Sequence, residues 1–255
     1  MRILLTNDDG VMAPGLAAMR RELLGLGTVE VVAPASPQSA VAHAITIHQP
    51  IAARRVRLGG DFEAWSVDGR PVDCVKLALF ELLAGRPDLT VSGINAGANA
   101  AMNVLYSGTV AAAAEAAFYA VPSVAVSLEM GEQLDFDRAA RIAGRIIRSL
   151  LACERPWQLV NVNIPSFDRG APRGVRVVEQ SSLLMNERFS PHAAPGQTER
   201  SYWLEGDYGS LAGHEHTDLG ALADRCVTVT PLRFDLTDRR LLETMRSCDW
   251  PDSLE

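Results

Sequence analysis

Cationic excess, paired cysteines, long apolar runs and the common nucleotide-loop signatures are all missing from this 255-residue sequence. Lys plus Arg (24) against Asp plus Glu (31) leaves a net charge of −7. No broad basic face is therefore expected for duplex nucleic acid or an anionic membrane, and an anionic ligand has to be handled locally. The four cysteines, Cys74, Cys153, Cys226 and Cys248, include no Cys-x-x-Cys pair. That removes zinc-ribbon, redox-motif and disulfide-framework readings and makes a reducing cytoplasm the expected compartment. The first apolar run, Ile3-Leu4-Leu5, is well short of the roughly 7–15 residues of a signal-peptide core, so no secretory leader is expected. Thr109 to Leu128, the most apolar stretch, is interrupted by Glu115 and Pro122 and fails as a membrane span of roughly 20 apolar residues. Absence of Gly-x-x-x-x-Gly-Lys-Ser/Thr, Gly-x-Gly-x-x-Gly and Gly-x-Ser-x-Gly lowers the P-loop, dinucleotide and serine-hydrolase readings.

What is present is ample core material, with 47% hydrophobic and 22% charged residues, arranged in alternating periods. Arg2 to Thr6 reads as a strand, Leu16, Met19, Leu23 and Leu26 mark one face of a helix from Pro14, and Thr28 to Ala33 supplies a second strand. Ala44 to Val67 holds β-like pieces (AITIH, ARRVRL, EAWSV), expected as a small antiparallel excursion off the main sheet. Helical period returns from Pro71 to Gly85, followed by a strand at Pro87 to Val91 and a loop at Ser92 to Ser107. A helix from about Val110 to Ala120, a strand at Ser123 to Leu128, a helix at about Phe136 to Ala152 and a strand at Gln158 to Ile164 continue the alternation. Such order predicts an α/β fold, a doubly wound, mostly parallel sheet with helices on both faces. After Pro165 glycine and proline interrupt short pieces, and helix period does not return strongly until about Leu236. Residues 1–255 are expected to form one domain, with a core at about 1–165 and a C-terminal extension at about 166–255. Residues after about 180 are expected to pair subunits.

Ligands of open α/β sheets bind beyond the carboxyl ends of the strands, and three loops there carry polar residues. Asn7-Asp8-Asp9-Gly10 sets two carboxylates side by side, where they repel unless a cation or proton intervenes. The same tetrapeptide is also good turn and helix-cap chemistry, and taken alone it supports either reading. Ser36, Gln38 and Ser39 follow the second strand. Ser92-Gly93-Ile94-Asn95-Ala96-Gly97-Ala98-Asn99 follows the strand at 87–91, with small residues and two asparagines that pack little but let oxygens approach a ligand. Carboxylate, hydroxyl and amide oxygens together suit a hard divalent ion such as Mg2+ or Mn2+. Tyr106-Ser107-Gly108-Thr109 opens the alanine-rich helix. Ser107 or Thr109 is its natural N-cap, and free amides at a helix start also bind phosphate. A cation loop beside a phosphate-type helix start points to phosphate-ester chemistry.

MRILLTNDDG at 1–10, DGRPVDCVKLAL at 68–79, PDLTVSGINAGAN at 87–99, YSGTV at 106–110, VNVNIP at 160–165 and TDLGALADRCVTVTPL at 217–232 closely resemble the SurE family of metal-dependent nucleotide phosphatases. The resemblance implies a Rossmann-like core and a cytoplasmic phosphomonoesterase acting on nucleoside 5′- or 3′-monophosphates, in some members on polyphosphate. It further implies one divalent ion per subunit held by Asp8, Asp9, Ser39 and Asn95, with Asn99, Ser107, Gly108 and Thr109 lining the phosphate. The C-terminal region would pair subunits as a homodimer or homotetramer. Asp8 or Asp9 is the candidate proton acceptor. Ala40 stands where the family has glycine, Ala42 where it has a small polar residue, and Ala100-Ala101-Met102-Asn103 where relatives carry glycine and an acidic residue.

Two other readings are a phosphatase with a covalent aspartyl-phosphate, which calls for Asp-x-Asp after the first strand where this chain has a contiguous pair, and a nucleotide-binding module without turnover. His214-Glu215-His216 lacks the spacing that puts two imidazoles on one helix face and reads as a surface or subunit-contact loop. His43 and His48 flank a strand-like piece and read as satisfied polar residues, with His43 close enough to Ser39 to face the pocket as the alternative, and Lys76 is expected to snorkel. The tryptophans Trp65, Trp157, Trp203 and Trp250 show no regular spacing and read as packing residues.

Overall fold

The computed structural model describes residues 1–59, 62–154, 156–192 and 200–251. Nine strands form one sheet: β1 (Arg2–Thr6), β2 (Thr28–Pro34), β3 (Ala53–Arg57), β4 (Glu63–Val67), β5 (Leu89–Ala96), β6 (Ser123–Leu128), β7 (Leu159–Ile164), β8 (Gly174–Val177) and β11 (Cys226–Pro231). Their order is β3-β4-β2-β1-β5-β6-β7-β11-β8. β9 (Asn186–Pro191) and β10 (Tyr202–Asp207) make a separate antiparallel pair. The helices are α1 (Pro14–Leu23), α2 (Pro71–Leu77, widened into a π turn at Ala78–Leu82), α3 (Asn103–Tyr106), α4 (Gly108–Phe118), α5 (Phe136–Leu151), α6 (Asp218–Ala223) and α7 (Arg239–Arg246).

Alternation along β1 sorts the layers. Ile3 and Leu5 pack with Leu16 and Met19 of α1 and Ala143 and Ile147 of α5, whereas Leu4 packs with Val75 of α2 and Ala112 and Ala116 of α4. A period-2 strand inserted between period-3.6 helices buries both faces, which is why the central strands are apolar throughout. The alanines of α4 let that helix lie close to the sheet, and ten of its eleven residues are buried. β2, β1, β5, β6 and β7 run parallel. From β1 the chain first builds outward to β2 and β4, then returns past β1 to build β5, β6 and β7 on the other side. The carboxyl ends of β1 and β5 therefore flank the topological switch point, where such sheets bind ligands.

The fold departs from the sequence reading in several places. The piece at 44–48 is not a strand; β3 and β4 do pair antiparallel as expected, but they are no excursion, since β4 pairs parallel with β2 (Val32↔Trp65) and extends the main sheet. β5 runs on to Ala96, five residues beyond the expected strand end at Val91, and α3 occupies part of the expected 92–107 loop. β11 pairs antiparallel with β7, and β8 joins β11, so the region after Pro165 adds two strands to the sheet. α6 also precedes the expected return of helix at Leu236. One buried carboxylate joins these later segments to the core: Asp218 accepts from the amides of Ala101 (2.9 Å), Ser181 (2.9 Å) and Leu219 (2.8 Å).

Ala40 and Ala42 both sit at φ +53°, a left-handed conformation in which Cβ crowds the following carbonyl at a cost of about 1–2 kcal/mol. Replacement of Ala40 by glycine relieves that crowding, so Ala40→Gly is expected to raise the thermal midpoint. The same exchange at Ala111, inside α4, should lower stability by about 1 kcal/mol. Thermal unfolding of the two variants followed by circular dichroism checks the opposite signs, and a loss at Ala40 equal to that at Ala111 would refute the strain.

Candidate active site

A cavity of about 560 Å3 opens at the switch point, and Asp8, Asp9, Ser39, Asn95, Asn99 and Ser107 all line it. Six residues from four separate stretches of sequence thus meet on one space. Asp8 and Asp9 leave β1 through a turn closed by the Asn7 side-chain amide on the Gly10 carbonyl (2.9 Å). Gly10 itself takes φ +98°, a conformation that disfavours any side chain. The Ser39 loop follows β2 and is tied to the turn by the Gln38 amide on the Asp8 carbonyl (2.7 Å). Asn95 comes from the carboxyl end of β5, its Nδ2 donating to the Gly97 carbonyl (2.6 Å).

Asp8 is the most constrained of the set. Its Oδ2 accepts from the Thr109 amide (2.9 Å) and its Oδ1 from the Thr109 hydroxyl, so the first turn of α4 grips both oxygens. A Cβ on Gly108 would lie 2.9 Å from Asp8 Cβ and 3.0 Å from Asp8 Oδ2, and only glycine permits the helix start to come this near. Burial raises the Asp8 carboxyl above its ordinary range, the Thr109 bonds pull it back, and the Asp9 charge raises it further. At Asp9 burial again raises the carboxyl, against one opposing bond from the Ala96 amide (3.1 Å to Oδ2). Two adjacent carboxylates are therefore held short of compensating charge. Two carboxylates, a hydroxyl and an amide around one cavity form the all-oxygen donor set that a hard cation accepts.

Ser107 caps α4, its Oγ accepting from the Val110 amide (3.1 Å). Asn99 is buried and locked: its amide donates to Asn163 Oδ1 (2.8 Å), its Nδ2 to Ser127 Oγ (2.9 Å), and its carbonyl accepts from Asn161 Nδ2 (2.7 Å) and Asn163 Nδ2 (3.1 Å). Gly108 and Thr109 are not part of the cavity lining. Thr109 is fully buried behind Asp8, with both polar groups turned to that carboxylate, which differs from the expectation that it faces a phosphate. Of the first amides of α4, that of Val110 goes to the Ser107 hydroxyl and that of Ala111 to the Ser107 carbonyl.

Met185, Glu187, Leu204, Glu205 and Gly206, in or just before the β9–β10 hairpin, complete the outer wall beside Tyr106 and Asn103. Sequence reasoning missed them. The run at 202–207 can be recognised as strand, but nothing local indicates what a hairpin 100 residues downstream in sequence folds back onto. His43 pairs with Glu115 and does not line the cavity. Lys76 is not a snorkelling cation but a partner of the same glutamate (2.5 Å).

A family model described as Survival protein SurE matches residues 3–187. The 5′-nucleotidase SurE of Rhodopirellula baltica is 47% identical over 252 residues, covering 98% of each chain, and that of Desulforudis audaxviator is 42% identical over 257 residues at the same coverage. The crystal structure of the SurE protein from Aquifex aeolicus superposes with a TM-score of 0.83 at 34% identity, covering 96% of this chain and 98% of that one.

The raised Asp9 carboxyl has a definite consequence for stability. Its folded-state value lies above the unfolded one, so stability in metal-free buffer falls as pH rises from the unfolded value through the folded one, and stays reduced above it. Asp9→Asn keeps an acceptor for Ala96 and removes the charge. In EDTA at pH 7 it should melt above wild type, with the gain shrinking to nothing as pH drops below about 4, near the unfolded aspartate value. A difference independent of pH would show that charge is not its cause. At Gly108, alanine should displace the Asp8 carboxylate and cut activity at least tenfold while circular dichroism stays unchanged.

Proposed function

The chain belongs to the SurE family, and from that membership and the oxygen-lined cavity we propose a divalent-metal-dependent 5′-nucleotidase that hydrolyses nucleoside 5′-monophosphates to nucleoside and phosphate. The observation that carries the reading is the meeting of Asp8, Asp9, Ser39 and Asn95 with the capped start of α4 on one cavity. Those four residues would hold one Mg2+ or Mn2+, which when bound polarises phosphoryl oxygens and acidifies a water molecule.

The roles of the chain's own groups follow from their engagement. Asp8, gripped at both oxygens by Thr109, serves as a fixed negative charge. Asp9 lines the cavity and, among the described residues, has only Oδ2 engaged, by the Ala96 amide, so it is the better proton acceptor for an attacking water. Asn99 and Ser107 border the phosphoryl group, and the positive end of the α4 dipole steadies charge developing on it. Thr109 then acts through Asp8. Met185, Leu204 and the half-exposed ring of Tyr106 give the nucleoside an apolar wall. 3′-monophosphates and polyphosphate are secondary candidates for the same cavity.

Subunit pairing through the C-terminal region belongs to the same proposal. α7 carries no buried residue, and Leu236, Leu241, Met245 and Trp250 stand exposed along that segment, as do Phe189, Tyr202 and Trp203 of the hairpin. Apolar groups this dense on otherwise polar elements call for a covering surface, and a second copy supplies it. No helix among the described residues is long and apolar enough to cross a membrane. Light scattering on the eluting protein should give a multiple of the 27.5 kDa chain mass, and a 27.5 kDa species at micromolar concentration would remove the pairing.

Phosphate release from a panel of nucleoside monophosphates, first in EDTA and then with Mg2+ or Mn2+ restored, tests the activity. Release is expected only with the cation, and Asp9→Asn should reduce it by at least a hundredfold with the fold intact. Cation-dependent nucleotide binding with no release from wild type would favour a binding module instead, and a trapped phosphoenzyme would favour the covalent route.

A further inference from the structure

Ser39 lies on a stretch, residues 35–52, that contains no helix or strand, and two of its nearest neighbours, Ala40 and Ala42, hold the left-handed conformation. Two backbone bonds hold its near side, from the Gln38 amide to the Asp8 carbonyl (2.7 Å) and from the Ala42 amide to the Tyr106 carbonyl (2.9 Å), and beyond Ala42 side chains anchor it. One anchor is His43, whose Nε2 donates to Glu115 Oε2 (2.7 Å) while its ring stacks on Phe118 with centroids 5.0 Å apart. Another is Thr46, whose amide and hydroxyl both donate to the buried Asp73 carboxylate (3.0 and 2.6 Å).

Glu115 is buried within α4, its side chain 3% exposed, with Lys76 Nζ 2.5 Å from its other oxygen. Burial pushes its carboxyl up, but the bonds from His43 and Lys76 outweigh that and hold it below the usual range. Thr109, which grips Asp8, is six residues earlier on the same helix, about 9 Å along its axis at 1.5 Å per residue. α4 thus fixes Asp8 through its first turn and the Ser39 loop through Glu115.

We infer that His43 and Glu115 are positioning residues for the cation site, holding the far side of the Ser39 loop to α4 while the Gln38 amide holds its near side to Asp8. The inference rests on the proposed cation site. Outer groups that orient ligands in this way typically change metal affinity by about 10–100-fold when removed. Lys76 shares Glu115 and also donates to the Tyr119 hydroxyl (3.2 Å), and it is not part of the cavity lining.

Binding of Mn2+ to the full-length protein without nucleotide, read from the free-ion electron paramagnetic resonance signal, separates these roles. His43→Ala should weaken Mn2+ binding about tenfold, raise the Mn2+ concentration for half-maximal phosphate release by the same factor, and leave kcat at saturating Mn2+ and KM for nucleotide nearly unchanged. His43→Gln, whose amide can reach Glu115, should restore most of the affinity. Lys76→Met should lower the melting temperature with Mn2+ affinity unchanged. Should His43→Ala fail to fold, His43→Phe keeps the stacking on Phe118 and loses only the bond to Glu115, and the same weakening is expected. Wild type that binds Mn2+ with His43 variants that bind it equally tightly overturns the inference alone. Wild type that binds no Mn2+ overturns the cation reading and the inference with it.

Discussion

Everything at the switch point depends on one contact, the Asp8 carboxylate against the first turn of α4. A buried carboxylate beside a second carboxylate is costly in a low-dielectric setting, and it persists here because the Thr109 amide, the Thr109 hydroxyl and the helix dipole all act on it. The contact needs a residue without Cβ at position 108, next to the Ser107 cap that begins the helix. Once α4 is seated, its alanine face sets the distance to the sheet and its later residues reach the Ser39 loop. Charge placement and helix packing are the same problem at this position.

The sheet supplies the frame that makes such placement reproducible. β1 and β5 are central, parallel and paired on both sides, so the residues at their carboxyl ends have little freedom. Asn161 and Asn163 of β7 point polar groups into an interior face that an apolar residue would otherwise fill. Asn163 bonds through both ends of its side chain, and Asn161 through Nδ2, to the backbone of Asn99, while Asn161 Oδ1 stays unpaired among the described residues. Those bonds order a loop of small residues that has no core of its own to hold it.

Some of this was legible in the sequence for plain physical reasons. Strands buried on both faces must be apolar, and helices covering them must repeat every 3.6 residues, so β1, β2, β6 and β7 and helices α1, α4 and α5 emerge within a few residues of their observed bounds. The polar residues after β1, β2 and β5 stand out because nothing in packing requires them. Other elements were misread because their signal is not local. β5 continues through Ser92 and Asn95 because β6 pairs with both, Ser92↔Ala125 and Asn95↔Ser127, across a register shift between them, although their composition resembles a loop. β4 joins the main sheet by pairing with β2, a contact that periodicity along either strand cannot encode.

The sequence by itself determined the fold class, the loops in which the oxygen donors lie and the family resemblance, because each is written in short-range order: period, turn residues and contiguous motifs. Only the tertiary structure decided how those donors are used. Thr109 faces Asp8 and not the cavity, Lys76 and His43 meet on one buried glutamate, and a distant hairpin walls the site. These assignments come from side chains brought together across tens of residues, where desolvation and hydrogen-bond geometry select one partner among many. No local pattern carries that choice.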